Sequence, residues 1–206
     1  MEGETSEPKE RVRQLVRCRL SLMSAETRSE KSSRAISKLK GLEEFSKAKC
    51  VMTYVSKQDE VDTTGLIEDM LSSGKRVVVP LIDEDGKDLV PCEILDLEEL
   101  REGIFGVMEP DRNRIRPVAE EDIDLVIVPG RAFDVHCNRL GRGKGYFDRF
   151  LKRLGGNRRT IGLAFSEQFF DEVPSGENDV RVDIVVTDAF VIRSDRRGFR
   201  SGKPEA

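Results

Sequence analysis

The chain of 206 residues contains no tryptophan, two tyrosines, one histidine and four cysteines. A lone histidine, His136, excludes any centre built on a histidine cluster. Cys18, Cys50, Cys92 and Cys137 are far apart and include no CxxC pair. Neither a disulfide scaffold nor a zinc site is therefore expected, and a reducing cytoplasmic setting is. No apolar run approaches the roughly 18 residues that a membrane span needs. The opening MEGETSEPKE is acidic and polar, unlike a secretory leader. An excess of positive charge is also missing: 35 Lys and Arg against 39 Asp and Glu give a net −4, and aromatic residues make up only 6%. Non-specific binding to nucleic acid is not the expectation for such a chain.

What is present is charge of both signs, 36% of residues against 37% hydrophobic, with a length that suits one core. Residues 1–193 read as one α/β domain and 194–206 (SDRRGFRSGKPEA) as a disordered basic tail; residues 1–8 read as a frayed terminus. Val12, Leu15, Val16, Leu20 and Met23 recur at three- and four-residue steps and predict a helix over 7–22. Ser24 is the N-cap signal for a second helix over 25–40. The first helix carries Lys9, Arg11, Arg13, Arg17 and Arg19 against Glu10. That pattern fits either a solvated face or a cationic lid over an anion. Short apolar runs at 50–55, 77–82, 89–95, 125–128, 160–165 and 183–187 read as strands, with helices over 64–73 and 145–154 between them. Continuous apolar strands separated by helices predict a mostly parallel sheet covered on both faces. Residues 103–122, rich in charge and proline, are expected to wander over the surface.

Ligands of open parallel sheets bind beyond the carboxyl ends of the strands. The loop after the strand LVIV is the most informative there. It contains Gly141, Gly143 and Gly145 alternating with Arg142 and Lys144, with Arg139 just before and a helix start just after. Glycines allow amide hydrogens to converge, and a helix start adds partial positive charge. Phosphate binding is the expectation. The spacing GxGxG is neither a Walker A loop nor GxGxxG, and a solvated glycine turn remains the alternative. Asp148 falls in the first helical turn, where it either caps the helix or reaches a magnesium ion on the phosphates; Glu177, Asp179 and Asp183 are candidate second carboxylates. After the first strand, Asp59, Glu60 and Asp62 cluster. They either form an acidic loop ahead of a helix capped by Thr63 or Thr64, or supply a carboxylate, Glu60, to a ligand's N–H groups. His136 and Cys137 are adjacent, a poor geometry for a nucleophile and its base.

The string NRLGRGKGYFDRFLKRL, preceded by a strand and PGxxFD, resembles the 5-formyltetrahydrofolate cyclo-ligase family. KERVRQLVRCRLSLMSAETR, YVSKQDEVDTTGLI, FGVMEPD and IGLAFSEQFFDEVPSGENDVRVDIVVT resemble further family segments in the same order, across most of 9–188. The resemblance implies a three-layer α/β/α Rossmann-like sandwich. It implies an enzyme that uses ATP and Mg²⁺ to close 5-formyltetrahydrofolate to 5,10-methenyltetrahydrofolate, releasing ADP and phosphate; a monomer is a separate expectation. By motif position, Lys9, Arg13, Arg139, Leu140, Gly141, Arg142, Gly143, Lys144, Gly145, Tyr146 and Phe147 would contact ATP. Val55 and Glu60 would contact the folate, joined by Arg142, Gly143, Lys144, Gly145 and Tyr146. Asp148 and Asp179 would stand beside the magnesium, and Arg142 and Lys144 would stabilise the transferring phosphoryl group. Three positions depart from the family pattern: Phe147 where many members carry tyrosine, Asn178 where many carry histidine, and Arg131 where the residue is usually small or apolar. The basic first helix and Arg-rich tail define the alternatives, a nucleic-acid-binding module or a non-catalytic relative that binds folate and ATP.

Overall fold

The computed structural model describes residues 6–83, 85–103, 106–156 and 158–194. Two helices open the chain, α1 (Ser6–Ser21) and α2 (Ala25–Lys40), followed by a short α3 (Glu43–Lys47). Then come β1 (Cys50–Met52), α4 (Thr64–Ser72), β2 (Arg76–Ile82), β3 (Leu89–Ile94), β4 (Leu100–Glu102) and β5 (Met108–Pro110). The second half contains β6 (Leu125–Val128), β7 (Ala132–Asp134), β8 (Arg139–Leu140), α5 (Tyr146–Leu154), β9 (Arg159–Leu163), β10 (Phe169–Phe170), β11 (Ile184–Val186) and β12 (Val191–Arg193).

A seven-stranded sheet in the order β12-β11-β9-β6-β1-β2-β3 forms the centre. Its five inner strands are parallel, and each edge strand is antiparallel to its neighbour. Alternation along the strands divides the core in two. Val51, Leu125, Ile127, Ile161 and Leu163 face α1, α2 and α4 through Val16, Leu20, Leu39, Leu66 and Ile67. Met52, Val126, Val128 and Val185 face the other way, onto Phe150, Leu151 and Leu154 of α5. This is the three-layer α/β/α sandwich. Below one layer, the Phe133 ring lies against Gly162 so closely that a Cβ there would overlap it.

Several local expectations change. Residues 6–8 belong to α1, and residues 1–5 lie outside the described residues. Ser24 does cap α2, its side chain accepting from the Thr27 amide. Thr63 is the N-cap of α4, but its hydroxyl donates to the Tyr54 carbonyl at 2.8 Å instead of capping, and Asp62 Oδ1 accepts from the Thr64 amide at 2.9 Å. The first strand stops at Met52; beyond it Tyr54 is buried and its hydroxyl donates to the Val61 carbonyl at 3.0 Å. The region 103–122 is partly ordered against the sheet: β4 and β5 pair, Cys92 bridges to Pro117, and Arg116 holds Glu99 with bonds of 2.7 and 2.9 Å. Ser194 is buried and its amide donates to Asp183 at 2.8 Å, so the packed chain extends through it. The rest of the expected tail, 195–206, lies outside the described residues.

Candidate active site

Beyond the carboxyl ends of β1, β2 and β6 lies a cavity of about 330 Å³, within the size range of small-molecule sites. One wall is apolar: Tyr54, Val55, Pro80, Ile82 and Leu89, with Val107 from the outlying hairpin. The opposite wall is the glycine loop, through Gly141, Arg142, Lys144, Gly145, Tyr146 and Phe147, with Arg139 and Asp148 behind. A wider, open groove of about 1020 Å³ runs between α2 and α4. Its cations are occupied by protein partners, Lys40 by Asp69 and Arg28 by the Leu20 and Gln58 carbonyls.

The loop's shape follows from its glycines. Gly143 and Gly145 hold φ of +99° and +70°, a region closed to most side chains. Two carbonyls are drawn aside by arginines: Gly141 O accepts from Arg13 Nε and Lys144 O from Arg149 Nη1, each at 3.0 Å. A trans peptide points its C=O and N–H in opposite directions. The Arg142 and Gly145 amide hydrogens therefore face away from those guanidinium groups. Gly145 is also the N-cap of α5, so the helix's positive end meets the loop. The Tyr146 hydroxyl donates to Gly86 O at 2.8 Å and fastens the start of α5 to the β2–β3 turn.

The acidic loop reaches across. Arg142 donates from Nε and Nη2 to Glu60 Oε1 at 3.1 and 2.8 Å, and from Nη2 to Asp59 Oδ1 at 2.6 Å. Glu60 Oε2 accepts from the Lys57 amide at 2.9 Å, and the other oxygen of Asp59 accepts from Arg131. Burial alone would raise the Asp59 pKa, but hydrogen bonds from Arg142 and Arg131 outweigh it and hold the carboxyl below its usual range. Burial opposes the charge on Arg142, yet Glu60 and Asp59 keep it protonated, its pKa raised.

Arg139 lines the cavity but shows little of itself to it. Its side chain is 2% exposed and pairs with Asp148 at 2.7 Å, so its visible task is to hold Asp148 and the Pro129 carbonyl in place. Asp148 does not cap α5; its Oδ1 also accepts from the Val180 amide at 3.2 Å. The neighbouring residue, Asp179, pairs through Oδ2 with Lys9 and with the Gly176 amide at 2.6 Å. Among the described residues no group of three or more His, Cys, Asp or Glu is arranged to hold a metal by itself. Magnesium that arrives on a triphosphate needs only one or two protein carboxylates. Asp148 lies on the cavity wall and its Oδ1 accepts from the amide next to Asp179, so the two carboxylates that such a magnesium would call on belong to neighbouring segments.

The structure thus brings most of the sequence-derived candidates to one edge of the sheet. Lys9 and Arg13 meet Asp179 and Gly141 from α1. Leu140 is the exception: it is buried in the α1–α2 side of the core and its side chain packs rather than binds. Of the first helix's other cations, Arg19 turns inward to Glu167 O and stacks on Phe170, while Arg17 and Arg11 stay exposed. His136 and Cys137 do not form a pair: Cys137 is fully buried, with φ +59°. Sequence reasoning missed Glu109, a carboxylate buried to 3% exposure on the cavity wall. It also missed the Asp59–Arg131 contact. Glu109 lies within the FGVMEPD segment, but nothing in a charged residue's identity announces burial.

Fold and site together define a Rossmann-like α/β protein with a cationic glycine loop facing an apolar cleft at the carboxyl edge of its sheet. A profile of the 5-formyltetrahydrofolate cyclo-ligase family matches residues 5–188. The chain belongs to this family. It is 32% identical over 177 residues to the 5-formyltetrahydrofolate cyclo-ligase of Mus musculus, covering 82% of this chain and 87% of that one. It is 28% identical over 181 residues to the Escherichia coli cyclo-ligase, covering 86% and 98%. The 5,10-methenyltetrahydrofolate synthetase of Aquifex aeolicus superposes with a TM-score of 0.80 at 37% identity, covering 95% of this chain and 96% of that one. The Mycoplasma pneumoniae synthetase, at 23% identity and a TM-score of 0.70, covering 87% and 98%, shares the fold.

Proposed function

We propose that this chain is an ATP- and Mg²⁺-dependent cyclo-ligase that converts 5-formyltetrahydrofolate to 5,10-methenyltetrahydrofolate, ADP and phosphate. The observation that carries the reading is one cavity with two unlike walls, an apolar face suited to a pterin ring and a cationic glycine loop suited to a triphosphate. In this reading the formyl oxygen attacks the γ-phosphorus and ADP leaves. The folate's N10 then attacks the activated carbon, its proton is lost, and phosphate departs with the former formyl oxygen. No protein nucleophile is required, which suits a cavity whose wall, among the described residues, contains neither cysteine nor histidine. The protein's contribution is positioning and charge stabilisation.

Within that sequence of steps, Lys144 and Arg142 face the transferring phosphoryl group, and the amides of the loop hold the β- and γ-phosphates. Lys9 and Arg13 fix the nucleotide from α1. Val55 and Glu60 border the folate; both Glu60 oxygens are engaged by Arg142 and the Lys57 amide, so its contact with substrate is shared with Arg142. Magnesium, held through Asp148 and Asp179, would neutralise phosphate charge. No helix among the described residues is long and apolar enough to cross a membrane. A monomer in the cytoplasm is the accompanying reading, in keeping with four free thiols. The basic first helix gives no support to a nucleic-acid module, because Lys9, Arg13 and Arg19 all have partners within the fold.

The test is to mix protein, MgATP and 5-formyltetrahydrofolate and follow near-ultraviolet absorbance of the methenyl product together with ADP. The expected result is equal formation of the two. Folded protein that yields neither refutes the reading, and ADP without methenyl product refutes the cyclisation step.

A further inference from the structure

Four charged side chains meet at the cavity mouth: Arg131, Asp59, Arg142 and Glu60, linked in that order by ion pairs. Two of them, Arg142 and Glu60, line the cavity. Arg131 is the rigid end of the chain. Its amide donates to Leu140 O at 2.6 Å, and its carbonyl accepts from the buried Gln168 side chain at 3.2 Å. Its own side chain is only 11% exposed. Arg142, by contrast, sits between two glycines, and its backbone has no such bond among the described residues.

The charges explain what Arg131 adds. With two arginines and two carboxylates the cluster is neutral. Without Arg131 the same cluster would carry −1, directly beside a loop that is to receive a polyanion. Charges a few ångströms apart in a partly buried site interact appreciably. We propose that Arg131 is a positioning residue for the phosphorylated ligand: by binding the far oxygen of Asp59 it balances the acidic loop's charge, and so lets Arg142 stay anchored across the cavity without repelling an approaching triphosphate. Arg142 has five N–H donors. Its Nε and Nη2 are given to carboxylates, and Nη1 is the nitrogen left to the ligand. This inference rests on the functional reading only in naming the ligand as a nucleotide triphosphate.

Equilibrium binding separates the two. The dissociation constant of a magnesium complex of a non-hydrolysable ATP analogue is measured by calorimetry for the wild type, Arg131→Leu, Arg131→Lys and the double variant Arg131→Leu/Asp59→Asn, with thermal melting to verify folding. Arg131→Leu is expected to weaken binding about five- to tenfold at low salt, and the loss should shrink as ionic strength rises. Arg131→Lys, which keeps the charge, should remain within about twofold of wild type. The double variant should also recover to about twofold, since Asp59→Asn removes the excess charge and its side-chain amide keeps an oxygen for Arg142. A merely structural role predicts the opposite, a double variant that binds no better than Arg131→Leu alone. Unchanged binding in Arg131→Leu, or no recovery in the double variant, overturns the inference. Wild type that binds the analogue but forms no methenyl product overturns the functional reading and leaves this inference intact; wild type that does not bind overturns both.

Discussion

Arg139 and Asp59 show how differently a charge is treated a few residues from the same loop. Arg139 is buried against Asp148 and the Pro129 carbonyl, and its Nε has no hydrogen-bond partner among the described residues. Removing one member of a buried pair of this kind typically costs about 3–5 kcal/mol, because the survivor is left uncompensated. Asp59 is only partly buried, and its interest lies in titration. Its pKa in the fold lies below the ordinary carboxylate value, since the bonds from Arg142 and Arg131 outweigh desolvation. A group depressed in this sense adds stability that is fully present above its unfolded pKa, about 4, and is lost as pH falls through the lower folded value. Asp59→Asn removes that contribution. Its melting temperature is therefore expected to fall less steeply than the wild type's between about pH 5 and pH 3, measured by circular dichroism in matched buffers. Parallel pH profiles for the two proteins would contradict the assignment.

At the scale of the element, β9 places a glycine where the Phe133 ring needs room. Gly162 pairs with Val128 and Val185 inside the sheet, and a methyl group there would overlap Phe133. Overpacking of this kind costs about 1–3 kcal/mol. Gly162→Ala should lower stability by that amount in urea titrations, and an unchanged midpoint would show that the ring can move aside. The elements themselves were readable wherever one physical signal dominated. The periodicity of α1 and α2, the Ser24 cap, and the apolar runs of β2 and β6 needed no tertiary information. The short strands were not readable. β7, β8 and β10 are two or three residues long and form because Phe133, Arg139 and Phe169 are brought together by the larger fold. The same holds for β4 and β5, whose pairing sits within a stretch that its charge and proline content mark as loop.

For the whole molecule, the candidate site is an assembly of distant segments. α1 contributes Lys9 and Arg13, the loop after β1 contributes Asp59 and Glu60, and the glycine loop contributes Arg142 and Lys144. The segment before β11 adds Asp179. The glycine loop was legible because its chemistry is local: glycines, cations and a helix start within a few residues. The acidic loop could be placed at the right edge of the sheet, but not its pairing with Arg142, which spans a sequence separation of 82. Arg131 and Glu109 gain their meaning only from burial and neighbours. Whether the loop from Gly141 to Gly145 seats the triphosphate, as proposed, is decided by a crystal structure with magnesium and a non-hydrolysable ATP analogue. The expected result is β- and γ-phosphate oxygens within hydrogen-bonding distance of the loop amides and the Lys144 ammonium. A triphosphate bound elsewhere, with this loop making no contact to it, refutes the proposed seat.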